Sequence, residues 1–266
     1  MKAGNQKKIT IHVPLQGNEL IKKVLEVVNN DREIDTLWRV ININAIDRLG
    51  MSDHGPVHFQ IVSNIALRLA RILDKNGVEM SSVGNFGLTK KHAELIILLA
   101  SLFHDLGMSI SREGHEEFSL FLADRILNRI LNYLPEEEKV IVKSETLHAI
   151  IAHRSGGVPY TIEAGIVRVA DALDMSEGRS RIPYEEGKVE IHSISAAAID
   201  NVEIKEGKTK PIEINISMNN SSGLFQVDEL LKKKLKGSGL EKYVIIKAEI
   251  KRELEKKLIK EFTIDL

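Results

Sequence analysis

Between about Asn18 and Glu177 the apolar positions recur at three- and four-residue steps, the signature of helices that bury one face. Leu20, Val24, Leu25 and Val28 outline the first helix, and Trp38, Ile41 and Ile43 lead into a second. Pro56 suits the first turn of a third, which continues through Ile61, Ile65, Leu69 and Ile72. Gly77, Gly84 and Gly87 interrupt the pattern, so residues 74–90 are expected to form a long loop. Further helices are predicted from Ala93 to Leu106, from His115 to Leu134 and from Glu136 to His153, the last stopping at Gly156 and Gly157. Ile162 to Met175 is apolar on nearly every face and is predicted to be the central, buried helix.

After Pro183 the period falls to two. Val189, Ile191 and Ile194, then Val202 and Ile204, then Ile212, Ile214 and Ile216 read as strands. A helix from Val227 to Leu235, a strand from Tyr243 to Ile250 and another over Phe262 to Ile264 follow. The expected fold class is α+β, with an all-helical domain over 1–185 and a smaller, strand-rich α+β domain over 186–266. The apolar strands need a cover, supplied either by the helical domain or by a second copy of the chain, so a homodimer is an open expectation.

Composition narrows the chemistry. Among 266 residues, 43% apolar content is ample for such a core, and 37 basic against 38 acidic residues leave a formal charge of -1. No global field invites nucleic acid or a membrane surface, and the run Lys232 to Lys234 with Lys236 reads as a solvated helix end. The polar N-terminus broken by Pro14 lacks the apolar core of a signal peptide. The apolar run around Leu95 to Phe103 falls short of the ~20 residues of a membrane span, so a cytoplasmic location is expected. The chain contains no cysteine, so any metal must be held by the nine histidines and by carboxylates.

His104 and Asp105 follow the apolar segment LIILLASLF. A charged carboxylate buried there costs several kcal/mol unless paired, and a divalent cation is an economical partner. Asp171 repeats the problem in IVRVADALDM, with an i−3 pair to Arg168 as the alternative, and His58 lies one turn inside the helix that begins at Pro56. In this order, His58, His104-Asp105 and Asp171 resemble the H…HD…D signature of the HD superfamily of metal-dependent phosphohydrolases, over roughly residues 35–185. The resemblance implies a helical catalytic domain and a divalent transition metal such as Mn, Fe, Co, Ni or Zn. His115, in GHEEFSLFLADRIL, and His153, in AIIAHRSGG, stand where the two-metal subgroups carry their further ligands. By that resemblance Asp105 bridges two ions, one taking His58, His104 and Asp171 and the other His115 and His153.

The chain departs from the cyclic-dinucleotide phosphodiesterases of the family, which carry a His-His-Glu run and a Gly-Tyr-Pro signature. Here Arg154, Ser155 and GGVPY follow His153. What the family implies is hydrolysis of a nucleotide-type phosphomonoester or phosphodiester by metal-activated water, with Asp105 at the reaction centre and His54 or His148 as candidate acids for the leaving oxygen. Arg154, Arg179 and Arg181 are candidates for the substrate phosphate, Asp174 for orienting a ligand, and Asp53 for the rim. His12, His92 and His192 have no such surroundings. The competing readings are a di-iron oxygenase of the same fold and a non-catalytic nucleotide-binding or oligomerisation module. The segments SAAAID and MNNSSGLFQVDELL resemble those of a prokaryotic, chiefly archaeal group of HD proteins with a C-terminal extension.

Overall fold

The computed structural model describes residues 9–154, 156–175, 195 and 197–250, together with the backbone of 261–265. Side-chain caps start the first helices: Asn18 accepts the N–H groups of Leu20 and Ile21 at α1 (Glu19–Asn30), and Asp31 those of Glu33 and Ile34 at α2 (Arg32–Asn42). A π-helical turn, Ile43–Arg48, extends α2, and Pro56 opens α3 (Pro56–Lys75) as its sequence position predicts.

The stretch 74–90, expected to be loop, contains a short helix, α4 (Ser81–Phe86). Its first N–H groups and the Ser82 hydroxyl donate to the buried Glu163 carboxylate, some 80 residues along the chain, a partner that local pattern does not announce. The helices α5 (Lys90–Phe103), α6 (His115–Ile130), α7 (Glu136–Ala152) and α8 (Ile162–Leu173) each end earlier than their apolar pattern suggests. At α5 this matters, because His104 and Asp105 stand on the turn that leaves the helix for a 3-10 turn at Leu106–Ser109. The expectation of a single central helix is revised too. In α8 every residue from Glu163 to Ala170 is buried, but α5 is buried from Leu95 to Phe103 and packs against α1, α3, α4, α7 and α8.

The strands β1 (Ile199–Glu206), β2 (Ile212–Met218), β3 (Val244–Ile250) and β4 (Glu261–Asp265) form one sheet in that order. The outer pairs are antiparallel and β2–β3 is parallel. A parallel neighbour requires a crossover, here the helical segment of a π-helical turn Gln226–Leu231 and α9 (Lys232–Leu235). Register pairs Ile212 with Val244, Ile214 with Ile246 and Ile216 with Ala248, all six buried. The expected strand residues Val189, Ile191 and Ile194, and the expected boundary at 185, lie outside the described residues.

The buried apolar side chains of helices and sheet form one continuous cluster. The segment before β3 approaches α8 at Gly165, where a Cβ would lie 2.1 Å from the Ser238 carbonyl oxygen. Three residues along α8, the buried Arg168 guanidinium donates through Nη1 to the carbonyls of Ala152 (3.2 Å), Arg154 (2.7 Å) and Gly157 (2.6 Å). Its Nε donates to Lys234 O at 2.8 Å. Arg168 therefore satisfies the chain leaving α7 and the end of α9 together, rather than serving as the partner of Asp171. Because the Gly165 contact is with backbone, which cannot swing aside, Gly165→Ala is expected to lower stability by about 1–3 kcal/mol, read from the midpoint of urea unfolding.

Candidate metal centre

Five helices deliver the cluster. The first turn of α3 carries His58, the exit of α5 carries His104 and Asp105, the first residue of α6 is His115, the residue after α7 is His153, and Asp171 lies on the last turn of α8. The four imidazoles and Asp105 are buried. Ser119, on α6, donates its hydroxyl to His104 O (2.7 Å) and accepts the Gly107 N–H (2.8 Å), which ties the turn carrying Asp105 to the helix carrying His115. The contact is close because residue 107 is glycine: a Cβ there would fall 2.0 Å from His115 O.

Every histidine of the cluster has an oxygen acceptor within reach of its outer nitrogen. His58 Nδ1 donates to Asp174 Oδ2 at 2.6 Å, His104 Nδ1 to Ser101 O at 3.1 Å and His153 Nδ1 to Ile150 O at 2.6 Å. His115 Nδ1 has two acceptors, Arg112 O at 2.9 Å and Glu116 Oε2 at 3.2 Å, with the Arg112 guanidinium alongside at 2.9 Å. With the protons on Nδ1, all four Nε2 atoms carry lone pairs into the cluster.

There the donors crowd. His58 Nε2 and His104 Nε2 are 3.0 Å apart, and Asp171 Oδ1 lies 3.4 and 3.7 Å from them. Asp105 Oδ2 lies 3.8 Å from His58 Nε2 and 3.6 Å from His104 Nε2, while its Oδ1 lies 3.1 Å from His115 Nε2 and 3.7 Å from His153 Nε2. Donors each about 2.1 Å from one ion stand about 3.0 Å apart across an octahedral edge and about 3.4 Å across a tetrahedral one. Lone pairs brought this close repel unless a proton or a metal cation lies among them, and a set of imidazole nitrogens and carboxylate oxygens without sulfur suits a divalent transition ion. The ligand atoms fall into three overlapping groups within 4.8 Å: His58, His104 and Asp171; His104, Asp105 and His153; His115, Glu116 and His153.

The field differs from donor to donor: burial works against a charged His115, but Asp105 and Glu116 beside it outweigh burial and raise that imidazole. Burial pushes the Asp105 carboxyl up, but the imidazoles of His104, His115 and His54 outweigh it and hold the group well below the usual carboxylate range. Burial opposes ionisation of Asp171 as well, and the Lys234 ammonium with His104 and His58 reverses it. Burial pushes the His153 imidazole down to about 3, reinforced by His104 and Lys234, so it is neutral at pH 7. A carboxylate charged and an imidazole neutral are the metal-binding forms.

A family model described as the HD domain matches residues 57–176, the span that carries all six of these residues. The chain belongs to the HD-domain family. Members of that superfamily bind divalent metals, and it is a superfamily of metal-dependent phosphohydrolases. "Uncharacterized protein MJ1020" of Methanocaldococcus jannaschii is 41% identical over 251 residues, covering 94% of this chain and 95% of that one. No solved structure matches the chain.

The other candidates of this HD-domain protein separate clearly. Asp174 reaches His58, and His54, half-buried, sits beside it with ring centroids 5.7 Å apart and its Nδ1 2.8 Å from Ser52 O. His148 faces away: it stacks on Tyr160 (4.7 Å between centroids) and accepts the Tyr160 N–H at 2.9 Å, as its position about 140° round α7 from His153 requires. Arg154 pairs with Glu117 at the exposed rim (2.6 Å), while Arg179 and Arg181 lie outside the described residues. Asp53 accepts the N–H groups of Gly55 and His58 and so fixes the start of α3. His12 contributes backbone bonds to Gln60 and Asn64, His92 caps α5, and His192 is outside the described residues. The sequence pattern missed Glu116, whose Oε2 lies 3.2 Å from His115 Nδ1, and Lys234, whose ammonium meets Asp171 Oδ2. Among the described residues no helix is long and apolar enough to cross a membrane.

Asp174 sets the tautomer and orientation of His58, so Asp174→Asn is expected to weaken Mn²⁺ binding by about 10–100-fold in calorimetric titration, with the helical circular dichroism retained.

Proposed function

We propose that the protein hydrolyses a phosphate ester of nucleotide type at a site for two divalent transition ions that share Asp105. The observation that carries this reading is the split of the Asp105 carboxylate: Oδ2 faces His58 and His104, and Oδ1 faces His115 and His153. His58, His104 and Asp171 would hold one ion, His115 and His153 the other, with Glu116 within reach of the second group.

When bound, such a pair of ions lowers the pKa of water and neutralises charge on phosphoryl oxygens, so no protein nucleophile is needed. The chain's own part is to hold the donors. Asp174, Ser101 O, Ile150 O and Arg112 O keep each imidazole proton on Nδ1, and the apolar walls of α5 and α8 exclude competing water. His54, next to His58 and less buried, is the proposed acid for the leaving oxygen. His148 is dropped from that role, because its Nε2 is committed to the Tyr160 backbone. Arg154 at the rim is the proposed contact for a more distant part of the substrate. A soluble, cytoplasmic enzyme acting on a small phosphate ester fits these proposals.

Protein stripped with a chelator is expected to be inactive across a panel of phosphomonoesters and phosphodiesters, and to regain turnover with Mn²⁺ or Co²⁺. Asp105→Ala is expected to lose at least about a thousandfold in turnover together with bound metal. Turnover by the stripped protein, or an Asp105→Ala variant that keeps both metal and activity, would overturn the reading.

A further inference from the structure

Lys234 differs from the lysines beside it. Lys232 pairs one turn back with Asp228 (2.7 Å) and Lys233 with Glu229, but the residue four before Lys234 is Leu230, so its own helix offers no carboxylate at that step. Its side chain is 18% exposed, against 60% for Lys233, and its ammonium meets Oδ2 of Asp171. The Lys234 main chain is fixed from the other side by Arg168 Nε, on the same helix as Asp171, so the contact does not depend on a swinging segment. The second oxygen of Asp171, Oδ1, is the one directed at His58 and His104.

We propose that Lys234 is a positioning residue of the metal centre, contributed by the C-terminal strand-rich part of the chain: it holds Asp171 Oδ2 so that this carboxylate meets the metal through Oδ1 alone. A carboxylate whose second oxygen is free can rotate to chelate an ion through both oxygens, as carboxylates do around larger coordination spheres. Held by Lys234 it occupies one position and leaves the next for a phosphate oxygen. The inference rests on the reading that His58, His104 and Asp171 hold a divalent ion, and it makes the C-terminal part a component of the site.

The test uses the full-length protein, stripped and reloaded with Co²⁺, and compares the parent with Lys234→Met, Lys234→Gln, Lys234→Arg and, as a control, Lys233→Met. The readouts are the visible Co²⁺ spectrum and the affinity of the loaded protein for inorganic phosphate, with circular dichroism reporting the fold. Lys234→Met and Lys234→Gln are expected to lose visible Co²⁺ intensity, as higher coordination produces. Their phosphate binding is expected to weaken by about tenfold or more, while Lys234→Arg and Lys233→Met stay near the parent. If Lys234→Met does not fold, the Gln and Arg variants carry the same comparison. A parent-like spectrum and phosphate affinity in the folded Met or Gln variant would overturn the proposal. A parent that takes up no Co²⁺ would overturn the metal reading and this proposal with it. A parent that binds Co²⁺ but hydrolyses no ester would sink the proposed activity alone, since the spectral comparison would still decide the role of Lys234.

Discussion

Four imidazole lone pairs and two carboxylates converge in a space that the surrounding helices keep from water. Each outer nitrogen lies within hydrogen-bond distance of an acceptor, and with its proton directed there the inward nitrogen presents a lone pair. Such a cluster is unfavourable without positive charge at its middle. Divalent cations remove the repulsion between donors and the cost of the buried carboxylates together. The rest of the structure can be understood as the means of holding that arrangement.

The helices do so by where they stop. Had α5 continued, His104 and Asp105 would lie about 100° apart on a helical surface; leaving the helix at Phe103 puts both on one turn, where Asp105 can face two pairs of histidines. Gly107 then lets that turn press against α6, and Ser119 bonds across the junction. Arg168 performs the comparable task between the chain after α7 and the end of α9. It joins His153 to the segment that brings Lys234 to Asp171.

Much of this could be read in the residues. The 3.6-residue period located α1 to α3 and α5 to α8, Pro56 marked the start of α3, and period two located β1, β2 and β3. The six donors stood out because His, Asp and apolar runs are poor neighbours unless something pairs them. The errors share one cause: each depended on a partner distant in sequence. The capping of α4 by Glu163, the exit of α5, and the reach of Lys234 to Asp171 are tertiary facts, and a lysine in a run of lysines looks solvated until its neighbours are seen to be satisfied without it. His148 shows the reverse, since helical geometry alone turned it from the cluster.

The central claim is that the two oxygens of Asp105 serve two metal ions. Anomalous diffraction at the manganese edge, from crystals of the full chain grown with Mn²⁺, tests it most directly. Two peaks are predicted, one among His58 Nε2, His104 Nε2 and Asp171 Oδ1, the other between His115 Nε2 and His153 Nε2, with Asp105 between them. A map with no peak in the cluster, or with a single ion there, would contradict it.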